Sequence, residues 1–490
     1  MLFNSYEFLI FFPVVVLIYF LIPHKIRYIW LLIASYFFYM CWNAKYALIL
    51  LASTLITYLS GILISKAKNK RKKQLFVALS FILNLSILFF FKYFDFAIEN
   101  INKVLGAFHM QLLTPAFDVI LPVGISFYIF QALGYTVDIY RKDLKPEKNF
   151  LKYALFVSFF PQLVAGPIER SSNLIKQFYE KHYFDFERVR DGLLLMLWGM
   201  FQKIVIADRI AVVADTIFNH PDQYGGWYVV VGVIFFAMQI YCDFSGYSMI
   251  AIGAAKVMGF KLMENFNAPY FSRSVSEFWR RWHISLSTWF RDYLYIPLGG
   301  NRKGKIRKYF NLMVVFLTSG LWHGANWSYV VWGGLNGIFQ IIGDATGKIR
   351  RKITDKMGID RESGGHKMFQ IIITFILICI TWVFFRAGTF KTALGMLTSI
   401  FTNCNPWVLF DGSLDKLGLS HASLVVGIIA ILILLFADFV RWRDKSIRKW
   451  VYRQSIWFRW TFYIVAILAI VIFGIWGSAY NSSAFLYFQF

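Results

Sequence analysis

One histidine stands out because of the residues around it. Between residues 311 and 340 the sequence contains no acidic or basic side chain except His323, the only one there that titrates near neutral pH. An ionisable residue deep in an apolar segment is costly and marks a functional site by default. A neutral imidazole in such surroundings suits a general base. The alternative is a histidine that only hydrogen-bonds between helices.

The neighbours of His323 fit a small pocket. Gly320 and Gly324 flank it in the segment TSGLWHGANW and leave room for a backbone or a ligand to come close. Trp322 and Trp327 are the expected walls. Ser319 and Asn326 add polar groups to an otherwise apolar segment.

A second histidine lies in an amphipathic stretch, SVSEFWRRWHISLSTWFRDYLYIPLGG, at residues 274–300. The Ser274–Glu277 spacing predicts a capped helix start, and Pro297 begins a strong stop. We expect one helix that lies in the membrane interface or beside a cavity. The residues that share its apolar face are Phe278, Trp279, Trp282, His283, Leu286, Trp289, Phe290, Tyr293 and Leu294. A histidine on such a face is more often structural than catalytic.

The opposite face of this predicted helix is polar and basic. It carries Arg280, Arg281 and Arg291, together with Ser285 and Asp292. The simplest interpretation is that the three arginines anchor the helix at lipid head groups. The other is that they bind the phosphates of an anionic substrate.

Two further polar side chains interrupt apolar sequence. Asp243 lies in the segment YCDFSGYS, where it either orients a histidine, pairs with an arginine or accepts a structural hydrogen bond. Gln162 lies in FFPQLVAGPIER, residues 159–170, which two prolines and a glycine break. Broken backbone at membrane depth lines a cavity or forms a plain re-entrant turn.

The composition shows what surrounds these residues. Of 490 residues, 58% are hydrophobic and 20% aromatic, whereas only 16% are charged; a soluble domain has about a quarter charged residues. The chain is therefore expected to be an all-α polytopic membrane protein with the lipid bilayer as its partner. Its net charge of +24 is attributed to loops that face the cytoplasm, and not to nucleic-acid binding.

Apolar segments recur along the whole chain, which predicts a single membrane domain over residues 1–490. We expect about eleven spans. Ten are placed near residues 8–22, 28–42, 46–65, 75–91, 121–140, 191–207, 227–250, 368–385, 422–440 and 461–477. Segments 152–165 and 311–343 are apolar but broken, which indicates re-entrant or hairpin elements.

The loops predict the orientation. The basic clusters, including Lys66–Lys73, fall on one side if the N-terminus faces outward. The first residues lack the basic cluster of a cleaved signal peptide. The four cysteines are too widely spaced for a metal or redox motif, and we expect no bound cofactor or metal.

Together these segments resemble the membrane-bound O-acyltransferase family, and most of all its bacterial branch of alginate and peptidoglycan O-acetyltransferases. The resemblance extends over nearly the whole chain. The blocks that carry it are Leu121–Gln131, Phe159–Arg170, the parts YCDFSGYS and FWRRWHISLSTWFRDYLYIPLGGNR of Tyr241–Arg302, Gly320–Gly337 and the C-terminal Phe485–Phe490.

The resemblance implies a ring of tilted helices around a thin centre with a tunnel. It implies that His323 is the catalytic base and His283 the second characteristic polar residue. The residues that we expect to bind substrate or line the tunnel are Trp279, Arg280, Arg281, Trp282, Trp289, Arg291, Ser319, Trp322, Asn326, Asp243 and Gln162.

The resemblance also implies the reaction. The donor, acetyl-CoA or another acyl thioester, would approach from the cytoplasm. An SGNH-hydrolase-type partner outside the bacterial cytoplasmic membrane would pass the acyl group to a polysaccharide. Transfer of D-alanine from a carrier protein to teichoic acid is the alternative within the family. A transporter would need discontinuous helices in matched halves, which the sequence does not indicate. A scaffold for polymer export would have no use for His323.

Overall fold

The structure is a computed structural model that describes residues 1–114, 121–164 and 166–476. Every regular element in these three ranges is a helix, which confirms the all-α expectation. The chain forms two compact units, one of residues 1–196 and 248–263, the other of residues 197–247 and the chain from 264 onward. The C-terminal block Phe485–Phe490 lies outside the described residues.

The first unit contains the N-terminal helices. They are α1 Tyr6–Leu21, α2 His24–Met40, α3 Tyr46–Lys66, α4 Lys70–Leu88, α5 Phe94–Ala107, α6 Ile125–Arg141, α7 Phe150–Ser158, α8 Phe160–Leu163, α9 Ser171–Gln177 and most of α10 Phe186–Met200. A π-helical turn at Phe89–Tyr93 joins α4 to α5.

The predicted break in segment 152–165 is present between α7 and α8. Phe159 leaves the helical conformation there, with φ −53° and ψ 112°. The chain restarts with the Phe160 N–H donating to Ser35 Oγ at 3.0 Å. Since backbone groups away from water need partners, a side chain from α2 completes the broken segment.

The second unit contains the remaining helices. They are α11 Asp208–Asn219, α12 Trp227–Met258 up to residue 247, α13 Val275–Arg281, α14 Ile284–Phe290, α15 Gly304–His323, α16 Trp327–Ala345, α17 Gly347–Lys356, α18 Gly364–Arg386, α19 Phe390–Thr402, α20 His421–Trp442, α21 Ile447–Tyr452 and α22 Ile456–Phe473. A π-helical stretch, Phe201–Ala207, connects α10 to α11.

Helices long and apolar enough to cross a membrane coincide with predicted spans. Six helical segments of the described chain meet that standard by length and composition: Tyr46–Lys66, Lys70–Ala107, Trp227–Met258, Gly364–Arg386, His421–Trp442 and Ile456–Phe473. The apolar α1 is shorter. The prediction of about eleven spans stays a prediction, as does the tunnel.

Two of these helices differ in their surroundings. In α12, 89% of the most apolar window is buried inside the protein, against 6% in α22. Polar residues on α12 therefore face protein, whereas the apolar side chains of α22 are left for lipid.

The segment 311–343 forms the expected hairpin, made by α15 and α16. A Cβ on Gly320 would lie 2.2 Å from the Tyr329 carbonyl oxygen, and one on Gly333 would lie 2.2 Å from that of Phe316. The two backbones touch at these glycines, as in close helix pairs in membranes. The room that Gly320 leaves is therefore taken by the other helix.

The open end of the hairpin is closed by an ion pair. Lys308 Nζ lies 2.8 Å from Asp344 Oδ2, and its hydrogen bond lowers the pKa of the Asp344 carboxyl. Lys308 follows the start of α15 and Asp344 precedes the end of α16. The pair thus joins the two ends farthest from His323.

Candidate active site

His323 lies at the tip of the hairpin, as predicted. It is the last residue of α15 and is 5% exposed. Only Gly324, Ala325 and Asn326 separate the two helices. The hairpin therefore brings an imidazole to the point where its two helices meet.

The prediction of a single helix from Ser274 to the stop at Pro297 is wrong. The capping interaction is present, with the Glu277 N–H donating to Ser274 Oγ at 3.1 Å, but α13 ends at Arg281. His283 has φ +43° and ψ 53°, and a second short helix, α14, follows it. Such left-handed backbone is unusual for a residue with a side chain. Tertiary contacts have overridden the helical pattern.

Those contacts come from the loop before α13. Asn265 O accepts the Ile284 N–H at 2.9 Å, and Asn265 Oδ1 accepts the Ser285 hydroxyl at 2.6 Å. The Asn267 N–H donates to Arg281 O at 3.0 Å. Ser285, expected on the polar face, is accordingly fully buried. Neither asparagine is among the site residues predicted from the sequence.

The break brings the two histidines together. Their ring centroids are 6.4 Å apart, and His283 is completely buried. Phe244 of α12 covers His283 at 4.6 Å between ring centroids. Trp322 lies near both rings, 6.0 Å from His283 and 4.9 Å from His323. Complete burial favours the neutral form of the His283 imidazole.

Aromatic rings surround His323 on its other sides. Trp332 and Phe385 lie 5.0 Å and 5.7 Å from it between ring centroids. Trp279 packs against Trp332 at 5.6 Å, and Ser319, one turn before His323, is 6% exposed. Water is poorly accommodated in such an enclosure, which strengthens electrostatic interactions inside it.

The other tryptophans of the predicted apolar face are also buried. Trp282 stacks on Phe278, with 5.3 Å between ring centroids, and lies 5.2 Å from Trp382. Trp289 packs on Tyr293 at 5.0 Å. The periodicity thus placed these tryptophans on the buried side correctly, even though the helix is broken.

The three arginines have different surroundings. Arg281 donates to Glu277 Oε1 at 2.9 Å and to Asn267 O at 3.1 Å. Arg291 pairs with Asp292 at 2.8 Å and its side chain is 61% exposed. Arg280 is exposed. Arg280 and Arg291 are therefore available at the surface, whereas Arg281 supports the loop at Asn267.

Asp243 is in a buried ion cluster that the sequence analysis missed. Lys203 Nζ lies 2.5 Å from Asp243 Oδ1 and 2.7 Å from Asp208 Oδ1, and the three side chains are at most 8% exposed. The charged partner of Asp243 is a lysine, whereas the sequence suggested a histidine or an arginine. Lys203 was detectable because it interrupts the predicted span 191–207.

Asn326 and Gln162 both make hydrogen bonds that complete the fold. Asn326 is exposed, and its Oδ1 accepts the Ser328 N–H at the start of α16. Gln162 belongs to the first unit, where its Nε2 donates to Phe156 O at 2.7 Å. Gln131 Nε2 donates to the same carbonyl at 2.6 Å. These contacts satisfy backbone groups at helix ends.

Comparisons with known proteins identify the family of the chain and several relatives. The model of the membrane-bound O-acyltransferase family matches residues 140–387, which include both histidines. The probable alginate O-acetylase of Pseudomonas putida is 37% identical over 504 aligned residues, along the full length of both chains. A peptidoglycan O-acetyltransferase of Helicobacter pylori is 38% identical over 395 residues, covering 75% of this chain and 72% of that one. A teichoic acid D-alanyltransferase of Streptococcus thermophilus is 30% identical over 305 residues, covering 54% and 68%.

Proposed function

The chain belongs to the membrane-bound O-acyltransferase family and is therefore an O-acyltransferase of the membrane. We propose that it moves an acetyl group from a thioester donor towards the hydroxyls of a cell-surface polysaccharide, with a partner protein making the last transfer. The observation that carries the proposal is the buried pair of His283 and His323 within an aromatic enclosure. The names of the Pseudomonas putida and Helicobacter pylori relatives support acetyl as the group and a polysaccharide as its destination.

The proposed reaction uses His323 as the base. Its imidazole accepts the proton of the acceptor hydroxyl, and that oxygen attacks the thioester carbonyl carbon. The carbon–oxygen bond forms, the carbon–sulfur bond breaks, and the thiolate receives the proton from His323. His283, held at the break between α13 and α14, shapes the path of the donor and supports the position of the acyl group.

The proposal includes the side of the membrane from which the donor and the acceptor each approach. The donor thioester approaches from the cytoplasm, where exposed Arg280 and Arg291 meet its phosphates. The acceptor approaches from outside the bacterial cytoplasmic membrane, on the side of the N-terminus. An SGNH-hydrolase-type partner carries the acyl group on to the polymer. The basic loops support this orientation.

The test compares wild type with His323→Ala, His283→Ala and the control His421→Ala in the native host. His421 lies at the start of α20, and its side chain is 76% exposed. At equal membrane levels, ester-linked acetate on surface polymers is expected to fall about 10²–10⁴-fold in His323→Ala and to stay unchanged in the control. Unchanged acetate in His323→Ala would refute acetyl transfer through this residue.

A second assay, with purified protein, distinguishes acetyl transfer from D-alanyl transfer. Purified wild-type protein is supplied with acetyl-CoA or with a carrier protein charged with D-alanine. We expect transfer from acetyl-CoA only. Transfer from the charged carrier alone would favour the activity named for the more distant Streptococcus relative.

A further inference from the structure

Trp332 carries a buried polar group beside His323. It lies on α16, is 1% exposed, and its ring lies 5.0 Å from that of His323, at an interplanar angle of 87°. Its indole Nε1–H has no hydrogen-bond partner among the described residues. Buried donors are nearly always paired, so an unpaired one beside a catalytic histidine needs an explanation.

The ring cannot easily turn to find a partner. Trp332 stacks on Trp382, with ring centroids 5.9 Å apart and planes 19° apart. Trp279 and Phe385 contact it at 5.6 Å and 5.1 Å. Because indole donates and does not accept hydrogen bonds, the group that pairs with it has to present an acceptor atom.

We propose that the Trp332 indole N–H binds the carbonyl oxygen of the acyl thioester and stabilises the negative charge on that oxygen during transfer. This inference rests on the proposed function and adds a catalytic residue to it. As the acceptor oxygen bonds to the carbonyl carbon, charge moves onto the carbonyl oxygen, and a preorganised donor in a dry site is most effective there. The N–H keeps its proton throughout, while His323 carries the transferred one.

The first test is Trp332→Phe, which keeps an aromatic ring and removes the N–H. We expect kcat with acetyl-CoA to fall about 10²–10³-fold, with KM little changed, since the interaction strengthens in the transition state. The matched control is Trp382→Phe, which removes the same atoms from the ring stacked on Trp332. The control should lower kcat less than tenfold at equal membrane level.

The second test measures binding and does not depend on turnover. The two probes are unreactive CoA derivatives of equal chain length, S-acetonyl-CoA, which has a ketone oxygen, and S-propyl-CoA, which has none. Wild type is expected to bind the ketone about 2- to 10-fold more tightly, and Trp332→Phe to bind both equally. A preference that survives in Trp332→Phe, or is missing in wild type, would overturn the inference.

Failure of this inference is distinguishable from failure of the proposed function. If His323→Ala keeps full transfer from acetyl-CoA, the proposed function fails. If His323→Ala is inactive and Trp332→Phe has the kcat of wild type, the function stands and Trp332 is only a packing residue.

Discussion

Replacing Lys203 with methionine tests whether the buried ion cluster holds the second unit together. Lys203 Nζ is the one cation within 2.7 Å of both Asp208 and Asp243 in the described chain, and its side chain is fully buried. Methionine keeps most of the length of the side chain but removes the charge. Two buried carboxylates then lose their counter-ion, and removal of one partner from a buried pair costs about 3–5 kcal/mol.

A second lysine gives the matched control. Lys256 on α12 pairs with Asp191 on α10, and these two side chains are 33% and 29% exposed. Since exposed pairs contribute about 0–1 kcal/mol, Lys256→Met should change the free energy of unfolding by no more than that. The two substitutions are chemically identical, and they differ in burial and in the number of carboxylates that lose the cation.

The assay is unfolding of the purified protein in mixed micelles with increasing dodecyl sulfate, followed by tryptophan fluorescence. A triple variant, Lys203→Met with Asp208→Asn and Asp243→Asn, removes all three charges and should recover much of the lost stability. If Lys203→Met is no less stable than Lys256→Met, burial does not decide the strength of these pairs and the reasoning fails.

Two further predictions concern the backbone around the histidines. Gly320→Ala should destabilise the protein by about 1–3 kcal/mol, because the new Cβ would lie 2.2 Å from the Tyr329 carbonyl oxygen. The control Gly334→Ala should be tolerated, since the nearest neighbour of its Cβ would be 3.5 Å away. Equal stability of the two variants in the same micelle titration would contradict this prediction. His283→Gly should be about 1 kcal/mol more stable than His283→Ala, since glycine adopts φ +43° without strain. Both variants are expected to lose activity. A more stable alanine variant would show that the left-handed backbone is not a source of strain.

The hairpin and the position of His323 could be predicted from the sequence because both depend on local properties. An apolar segment interrupted at Gly324–Asn326 has to turn back within the membrane or beside it. His323 is conspicuous as the one side chain of that segment that titrates near neutral pH. The glycines that allow close contact could also be recognised in the sequence. The group that occupies the space beside Gly320 could not be predicted, because it depends on how α15 and α16 pack.

The break at His283 could not be predicted, because the local pattern continues through it. Apolar residues recur with helical spacing on both sides. The helix ends at Arg281 because Asn265 and Asn267, which precede α13 in the chain, pair with backbone groups at Arg281 and Ile284. The same limit applies to the Lys203 cluster, since the partners of a buried charge are set by packing between helices.

The conformation of His283 is an argument for its function. A left-handed residue with a side chain costs about 1–2 kcal/mol, and strain of this kind persists where the surrounding structure enforces it. The flanking Asn265 contacts do so here. Glycine would adopt the same backbone without strain and would satisfy the turn equally well. A strained, fully buried histidine 6.4 Å from His323 is therefore the observation that supports the proposed role of the His283 imidazole.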